Sequence, residues 1–279
     1  MNAQVECGID SSLFHLEAIF AAEYKLVTGR VFDREQESHH IVTVRCRDAG
    51  LPHLVTMKTI SVQITDENDN APQLASNIFF VNLKENNLLY ATVVKMNATD
   101  ADDGRNGALM YRLDPLEGTP KEGLSIDPVS GTIAASVVFD YEKRQSYSYL
   151  MTVKDRGDAP KSGAATLILN IVDVNDEVPV FEMPSYFFTV VENRPAGTVI
   201  GQVKAYDVDA TAEYQRITYS MEGVGSKAFR VDPTSGEILA RTVLDREEVA
   251  VYKFRVRAAN DPDYSQLPIY SSVNVTVSG

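Results

Sequence analysis

The sequence predicts an all-β protein built from tandem β-sandwiches, each with roughly seven short strands in two packed sheets. Three observations lead to this prediction. Motifs recur at a spacing of about 107 residues, apolar and polar residues alternate between the turns, and helical periodicity is not sustained anywhere.

The internal repeat indicates the domain organisation. Asp66 and Asp173 are 107 residues apart, and the motifs "FDRE" (32–35), "FDYE" (139–142) and "LDRE" (244–247) follow one another at intervals of 107 and 105. One unit is therefore used three times, with boundaries near residues 70 and 177. The predicted domains are 1–70, 71–177 and 178–279.

The strands are predicted from alternation in "HHIVTVRCRD" and "TISVQITD" of the first unit, "YSYLMTVKD" and "LILNIVD" of the second, and "SVNVTV" of the third. The first unit is short. Only 13 residues precede Phe14, whereas about 50 precede the matching position in the other units. We therefore expect the first repeat to be incomplete, without its opening strands.

Composition and charge limit the kinds of partner that this chain could bind. The 279 residues are 44% hydrophobic and carry a net charge of −13, which disfavours nucleic acid and anionic membranes and favours cations. No apolar run reaches the roughly 18 residues of a spanning helix. The first ten residues lack the basic and apolar regions of a signal peptide. If the protein is secreted, we expect its targeting and anchoring segments to lie outside this sequence.

Two features bear on the compartment. The sequons at Asn97 and Asn274 lie in alternating segments that turn both asparagines outward, where each could carry a glycan. Cys7 and Cys46 leave two interpretations open. They form a disulfide in an oxidising compartment, or Cys46 is an unpaired core residue of a strand, which is the interpretation that the segment "TVRCRD" favours.

Acidic residues concentrate at the unit boundaries, in "TDENDNAP" (65–72) and "VDVNDEVP" (172–179). Two carboxylates about 4 Å apart repel by roughly 1 kcal/mol even in water, so a junction of several acids should splay without a counter-charge. The donors are all oxygen atoms, which suits Ca²⁺, while no His/Cys set is spaced for zinc. The acids expected to converge at the first boundary are Asp33, Glu35, Asp66, Asp69, Asp100, Asp102 and Asp155.

The motifs "DRE", "DxNDN", "xEN" and "AxDxDxGxNG", in this order and spacing, resemble the extracellular cadherin repeat family over the whole chain. The resemblance implies tandem seven-stranded Greek-key β-sandwiches of the cadherin/Ig-like class and about three Ca²⁺ per complete junction. It also implies an extracellular location, in the ectodomain of a single- or multi-pass membrane protein. Tryptophan is absent, so the tryptophan exchange of the classical members is not available, and the chain resembles a non-classical, protocadherin-like or Fat-like member.

The resemblance also implies a ligand set for each junction. The ligands of the second junction are Glu85, Asp140, Glu142, Asp173, Asn175, Asp176, Asp207 and Asp209, with the carbonyls of Val174 and Glu177. The ligands of the first are Asp33, Glu35, Asp66, Asn68, Asp69, Asp100, Asp102 and Asp155, with the carbonyls of Glu67, Asn70 and Asn106. A further set directed toward a following repeat comprises Glu192, Asp245 and Glu247.

Three departures from the family pattern are visible. The first repeat has no clear counterpart of Glu85, which in the family bridges two ions. Asn260 stands where the other repeats have Asp48 and Asp155. The segment "DVDATAEYQR" lacks the "GxNG" turn of the second repeat. We therefore expect the third ion site of the second junction to be its weakest.

The predicted function is calcium-dependent adhesion or recognition at the cell surface, through contacts with other cadherin ectodomains, homophilic or heterophilic. Two alternative functions are open. One is a passive, calcium-stiffened spacer in a long cadherin. The other is a glycoside hydrolase that uses Asp100 and Asp102, which is disfavoured because the acids recur in every unit. The tripeptide Arg156–Gly157–Asp158 could bind integrins, but it is better explained as the ordinary "DxG" turn of the repeat.

Overall fold

The structure, a computed structural model, describes residues 5–20, 23–260 and 269–279. Within these residues the regular structure consists of β-strands and one short 3-10 helix, Val224–Lys227. The predicted all-β class is confirmed.

Residues 73–172 form a β-sandwich. Its strands are β6 (Gln73–Leu74), β7 (Ile78–Lys84), β8 (Thr92–Lys95), β9 (Ala98–Thr99), β10 (Met110–Pro115), β11 (Leu124–Ile126), β12 (Thr132–Ala135), β13 (Ser146–Lys154) and β14 (Ser162–Val172). One sheet has the order β10–β13–β14–β7 and the other β11–β12–β8, while β6 pairs with β9. The four-stranded and three-stranded sheets together have the predicted seven strands, and the two-residue strands β6 and β9 form an additional pair. Strand β7 runs parallel to β14 over seven residue pairs, and β14 runs antiparallel to β13.

The core of this sandwich follows from the alternation along its strands. In β13, Tyr149, Met151 and Val153 are fully buried, and the residues between them are half-buried or exposed. Leu167 on β14 and Ile133 on β12 complete the core from the same and the opposite sheet. Each such side chain contributes about 1.5–3 kcal/mol through burial, so the second unit has a full core of its own.

Residues 180–278 repeat this arrangement. The strands are β15 (Val180–Phe181), β16 (Ser185–Val191), β17 (Val199–Gln202), β18 (Ala205–Tyr206), β19 (Thr218–Glu222), β20 (Phe229–Val231), β21 (Glu237–Ala240), β22 (Val251–Ala259) and β23 (Ile269–Ser278). The sheets have the orders β16–β23–β22–β19, β17–β21–β20 and β15–β18. Strand β16 again runs parallel to β23 over seven residue pairs. The core of this third unit includes Phe229, Ile238, Val256 and Val273.

Residues 5–63 form a smaller unit. Its strands are β1 (Val5–Ile9), β2 (Phe14–Phe20), β3 (Glu23–Thr28), β4 (His39–Asp48) and β5 (Val55–Gln63). They make the sheets β1–β4–β5 and β2–β3. Within the described part of this unit no strand corresponds to β7 or β8. Its small core includes Phe14, whose ring lies 5.1 Å from that of Phe32, and Val42.

Cys7 and Cys46 form a disulfide, so the favoured expectation of an unpaired Cys46 is wrong. The register of β1 on β4 places the two residues directly opposite each other, with 4.1 Å between their Cα atoms. The bond joins β1 to the neighbouring strand β4 in the first unit, which has fewer strands than the other two. Such a pairing stabilises mainly by restricting the unfolded chain.

The two sequons lie in different settings. Asn97 is exposed between β8 and β9, in agreement with its predicted orientation. Asn274 is half-buried in β23, opposite the exposed Phe187 of β16. Glycosylation of either asparagine stays a prediction.

Candidate metal centres

The linker that follows β14, residues 173–179, and the acids around it form the second junction. Glu85 at the end of β7, Glu142 before β13 and Asp176 in the linker each place a carboxylate oxygen within 4.8 Å of the others. Glu142 also belongs to a second such group, with Asp173 and Asp209. One shared carboxylate between two groups is an arrangement suited to two neighbouring cations.

Glu85 organises this junction through the backbone. Its side chain is 4% exposed and accepts hydrogen bonds from the N–H groups of Tyr141 and Val174, both at 2.7 Å. The glutamate therefore fixes the "DYE" turn and the linker against the end of β7. Asn86 beside it has a φ of 55° and donates from Nδ2 to Asp176 at 2.6 Å. Asparagine adopts this left-handed conformation more readily than most residues, and Asn193 after Glu192 has a φ of 59°.

Two acids of the second junction have strongly raised pKa values. Burial, together with the charges of Glu85, Asp173 and Asp176, raises the pKa of Glu142 to about 7. Burial and the neighbouring charge of Asp207 raise the pKa of Asp209 to about 7. Glu142 is nevertheless exposed, so solvent screens its charge, whereas Asp209 is fully buried and is costly to ionise without a cation nearby.

Buried oxygen atoms test whether the junctions fit a metal ion. Among the described residues, five buried oxygens at the junctions accept no hydrogen bond: Asn68 Oδ1, Asp100 Oδ2, Asp173 Oδ1, Asp209 Oδ2 and Asn260 Oδ1. Buried polar atoms in proteins are nearly always satisfied. Hard oxygen donors of this kind are the ligands that Ca²⁺ prefers, so the residues present fit the ion.

The first junction comprises the linker 64–72 and its neighbouring acids. Only one group of three close carboxylates, Glu35, Asp66 and Asp102, is formed there by the described residues. The linker is attached to the second unit through Asn70, whose Nδ2 donates to Asp102 Oδ1 at 2.7 Å.

The hydrogen bonds of Asp66 account for its lowered pKa. Although burial raises the pKa of Asp66, the N–H of Asp103, the side chain of Asn106 and the charge of Arg34 together hold it below its ordinary value. Asp66 is thus ionised and well satisfied by protein groups alone.

The third predicted site differs between the junctions. At the first, Asp155 is 3% exposed and accepts hydrogen bonds from Gly157 N, Lys161 N and Asn68 Nδ2. A Cβ at Gly157 would lie 2.3 Å from Asn68 Nδ2, so only glycine allows the linker this close. At the second, Asn260 is a donor: its Nδ2 bonds to Asp207 Oδ2 at 3.0 Å and to the carbonyl of Tyr214.

Other predicted ligands take local roles. Asp33 accepts from Gln36, and Asp140 accepts from Lys143 at both the backbone and the ammonium group, so neither joins the three-carboxylate groups. The remaining contacts are Asp100 with Asp102 N, Asp207 with Asp209 N, Asp209 with Glu177 N, Asp69 with Asn70, and the Glu67 carbonyl with Asp69 N. Asn175 is 9% exposed within the second linker.

A fourth group lies at the far end of the third unit, where Glu192, Asp245 and Glu247 come within 4.8 Å of one another. Glu192 accepts the N–H of Arg246 at 3.1 Å. The three predicted residues thus lie together, and their role as metal ligands stays a prediction.

The sequence did not predict three side chains that contact acids of the junctions. These are Arg34 and Asn70 at the first junction and Asn86 at the second. For Asn86 a signal was present, since "EN" occurs at both 85–86 and 192–193. Nothing in the sequence indicated where the Arg34 side chain lies.

Comparison with known proteins places the chain among others of the same architecture. The family model described as "Cadherin domain" matches residues 79–172 and 186–278. Human protocadherin-16 is 33% identical over 277 residues, which is 99% of this chain and 8% of that protein. The solved structure of mouse cadherin-23 EC22-24 is 26% identical with a TM-score of 0.72, covering 99% of this chain and 86% of that one. The protocadherin gammaB7 EC3-6 cis-dimer structure has a TM-score of 0.83 at 24% identity, covering 98% of this chain and 68% of that one.

The chain spans a small part, 8%, of the protocadherin-16 relatives that it matches. In the part of the chain that the structure describes, no helix has the length and apolar character needed to cross a membrane.

Proposed function

Because this chain belongs to the cadherin family, we propose that it is an extracellular segment in which Ca²⁺ stiffens the junctions between β-sandwiches for cell adhesion or recognition. Cadherin domains bind Ca²⁺ at repeat junctions. The proposed division is 1–70, 71–177 and 178–279, with the first repeat incomplete. The Cys7–Cys46 disulfide supports an oxidising, extracellular setting.

The observation that carries the proposal is the pair of carboxylate groups that share Glu142 at the second junction. We propose that about three ions bind there. The ligand set is Glu85, Asp140, Glu142, Asp173, Asn175, Asp176, Asp207 and Asp209, with the carbonyls of Val174 and Glu177. For the first junction the set is Asp33, Glu35, Asp66, Asn68, Asp69, Asp100, Asp102 and Asp155, with the carbonyls of Glu67, Asn70 and Asn106.

The acids themselves explain the stiffening. Without a cation, Glu142, Asp173 and Asp209 repel one another across the boundary. Hydrogen bonds that join residues 173–179 to the third unit include Thr211 N to Asp173 at 2.6 Å and Glu177 N to Asp209 at 3.3 Å. A bound divalent ion supplies the counter-charge. The same carboxylates then attract a common centre, and the linker is fixed to both sandwiches.

Calcium removal tests this function. In excess chelator we expect a lower melting temperature and a lower maximum dimension in small-angle X-ray scattering than in millimolar Ca²⁺. Glu142→Gln should reduce both differences, whereas Glu122→Gln, at an exposed position away from the junctions, should leave them unchanged. Equal values with and without chelator would contradict the proposal.

We propose other cadherin ectodomains as partners, homophilic or heterophilic. Support comes from the protocadherin relatives and from the solved gammaB7 structure, which is described as a cis-dimer. A spacer without adhesive contacts is the second candidate, favoured by the small share of the relatives that this chain covers. Calcium-dependent aggregation of beads coated with the chain would support adhesion, and dispersed beads would support the spacer.

Neither glycoside hydrolysis nor integrin binding is proposed as a function of this chain. Cadherin domains are adhesion modules and not enzymes, so the glycoside hydrolase is dropped. In the Arg156–Gly157–Asp158 tripeptide, Gly157 is buried and donates to Asp155, while Asp158 is fully exposed. The tripeptide therefore serves the "DxG" turn, and integrin binding stays disfavoured.

A further inference from the structure

The outward face of the third unit presents an exposed aromatic ring. Phe187 lies in β16, the edge strand of the four-stranded sheet, and is 76% exposed. Ser185 and Thr189, its neighbours on the same face of β16, are polar. A ring left in water forgoes most of the stabilisation that its burial would give. A group that covered this ring would therefore bind favourably.

The neighbouring strand places a glycosylation sequon directly beside the ring. In the parallel register of β16 on β23, Phe187 lies opposite Asn274, and adjacent strands are about 4.8 Å apart. Asn274 is half-buried, and Thr276, the hydroxyl residue of the sequon, is exposed. Residues two apart in a strand share a face. The side chains of Asn274 and Thr276 therefore project from the sheet beside Phe187.

The other flank of Asn274 provides hydrogen-bond donors. Lys253 of β22 lies opposite Asn274 in the antiparallel register and is exposed. Its ammonium group can donate to the hydroxyl groups of a sugar. One face of a pyranose ring carries apolar C–H groups, which the electron-rich face of an aromatic ring attracts. Phe187 and Lys253 thus suit the two kinds of surface that a sugar on Asn274 would present.

The second unit provides the internal comparison. Phe80, which is 107 residues before Phe187, occupies the equivalent position of β7 and is 70% exposed. The residue opposite Phe80 in β14 is Ile168. The second unit therefore has the exposed ring without the sequon, whereas the third unit has both.

We propose that Asn274 carries an N-linked glycan whose first N-acetylglucosamine packs its apolar face on Phe187, with its hydroxyl groups toward Lys253. In this modification, Nδ2 of Asn274 bonds to C1 of a sugar supplied as a lipid-linked diphosphate. The bond from C1 to the diphosphate oxygen breaks, the diphosphate leaves with that electron pair, and Nδ2 loses one proton. Nothing is oxidised or reduced.

The consequence is a covered apolar surface on the third unit. The side chain of Asn274 points away from the sheet, so its backbone groups stay in the ladder with β16 and β22. This inference rests on the extracellular setting of the proposed function and does not depend on Ca²⁺ binding.

The first test uses the whole chain, secreted from animal cells with an added signal peptide. Enzymatic deglycosylation converts a glycosylated asparagine to aspartate, and mass spectrometry then reports whether Asn274 was modified. After trimming to a single N-acetylglucosamine, nuclear Overhauser contacts are measured between the sugar and selectively labelled phenylalanine. We expect Asn274 to be modified and its sugar to contact the Phe187 ring. An unmodified Asn274, or a modified one without these contacts, overturns the inference.

A thermal cycle provides the second readout. In millimolar Ca²⁺, the third unit of the trimmed glycoprotein should melt roughly 4 °C above that of Asn274→Gln, as one aromatic contact would give in a domain of this size. Phe187→Thr should abolish this difference. Phe80→Thr, at the equivalent ring, and Asn97→Gln, at the other sequon, should both preserve it. The inference is overturned if no difference is found, or if the difference survives in Phe187→Thr.

Calcium titration separates this inference from the proposed function. Asn274→Gln should bind as many Ca²⁺ ions as the original chain, because Asn274 lies in β23 and outside the proposed ligand sets. A missing sugar contact with calcium binding intact overturns only this inference. A chain that binds no Ca²⁺ overturns only the proposed calcium-dependent function.

Discussion

Replacing Asp209 with asparagine is expected to stabilise the ion-free protein and to reduce the stabilisation that Ca²⁺ adds. Asp209 is fully buried, and one of its oxygens accepts no hydrogen bond. Its pKa is raised from 3.8 to about 7. The folded state therefore binds a proton more tightly than the unfolded state, and ion-free stability falls as the pH rises from about 4 to about 7.

The size of the effect follows from the shift. A change of roughly three pKa units corresponds to about 4 kcal/mol for ionised Asp209 at pH 8. The asparagine amide still leaves a buried polar atom without a partner, which costs about 1–3 kcal/mol. We expect a net gain of about 2 kcal/mol in chelator, or roughly 8 °C in the melting of a unit of this size. Loss of a charged ligand that weakens a site tenfold would reduce its calcium stabilisation from about 2.7 to about 1.4 kcal/mol.

Differential scanning calorimetry at pH 8, in chelator and in millimolar Ca²⁺, measures both quantities. Between pH 5 and pH 8 the original chain should lose stability in chelator, and Asp209→Asn should lose less. Asp158→Asn, at a fully exposed aspartate, should behave like the original chain. The reasoning would be refuted if, in chelator, Asp209→Asn melted at or below the melting temperature of the original chain. It would also be refuted if Ca²⁺ raised the melting temperatures of both proteins by the same amount.

Three further predictions concern other parts of the chain. Asn260→Asp should bind one additional Ca²⁺ in calorimetric titration and should be less stable in chelator, because the donor to Asp207 becomes a carboxylate. Replacing both Cys7 and Cys46 by serine should destabilise the first unit by about 3–4 kcal/mol, since the disulfide closes a loop with a sequence separation of 39; calorimetry should show only one transition shifted. Leu167→Ala, in the second core, should cost about 2–5 kcal/mol in chemical denaturation.

Each of these has a control and an outcome that contradicts it. Asn274→Asp adds the same charge in β23, away from the junction residues. If Asn260→Asp and Asn274→Asp bound the same number of Ca²⁺ ions, the first prediction would be contradicted. A serine double variant with an unchanged first transition would show that the disulfide adds no stability. Phe80→Ala, at a side chain that is 70% exposed, should cost less than about 0.5 kcal/mol. A larger loss there than for Leu167→Ala would contradict the assigned core.

The sequence predicted most of the architecture because its patterns report burial directly. Alternation along "YSYLMTVKD" predicted the strand β13, in which Tyr149 and Met151 lie in the core. The resemblance to cadherin motifs implied that Glu85, Glu142 and Asp173 meet at one boundary, and the structure brings their carboxylates into two groups there that share Glu142.

Features that depend on register or on long side chains could not be predicted in this way. The pairing of Cys7 with Cys46 requires the register of β1 on β4, and a slip of one residue would turn either cysteine to the other face. Arg34 has a long flexible side chain, and only the three-dimensional surroundings select the rotamer that reaches Asp66. The donor role of Asn260 depends on where Tyr214 and Asp207 lie relative to it.

The parallel pairing of β7 with β14, and of β16 with β23, determines how each complete unit carries a pulling load. The chain enters the second unit through the two-residue strand β6, continues into β7 at Ile78 and leaves the unit after Val172, so that β7 begins and β14 ends at opposite ends of a pair aligned over seven residue pairs. Tension between these ends slides the strands along each other and loads the inter-strand hydrogen bonds together. An antiparallel pair pulled from one end would instead open one bond at a time. The two complete units are therefore loaded in a geometry that resists rupture better than stepwise opening from one end does.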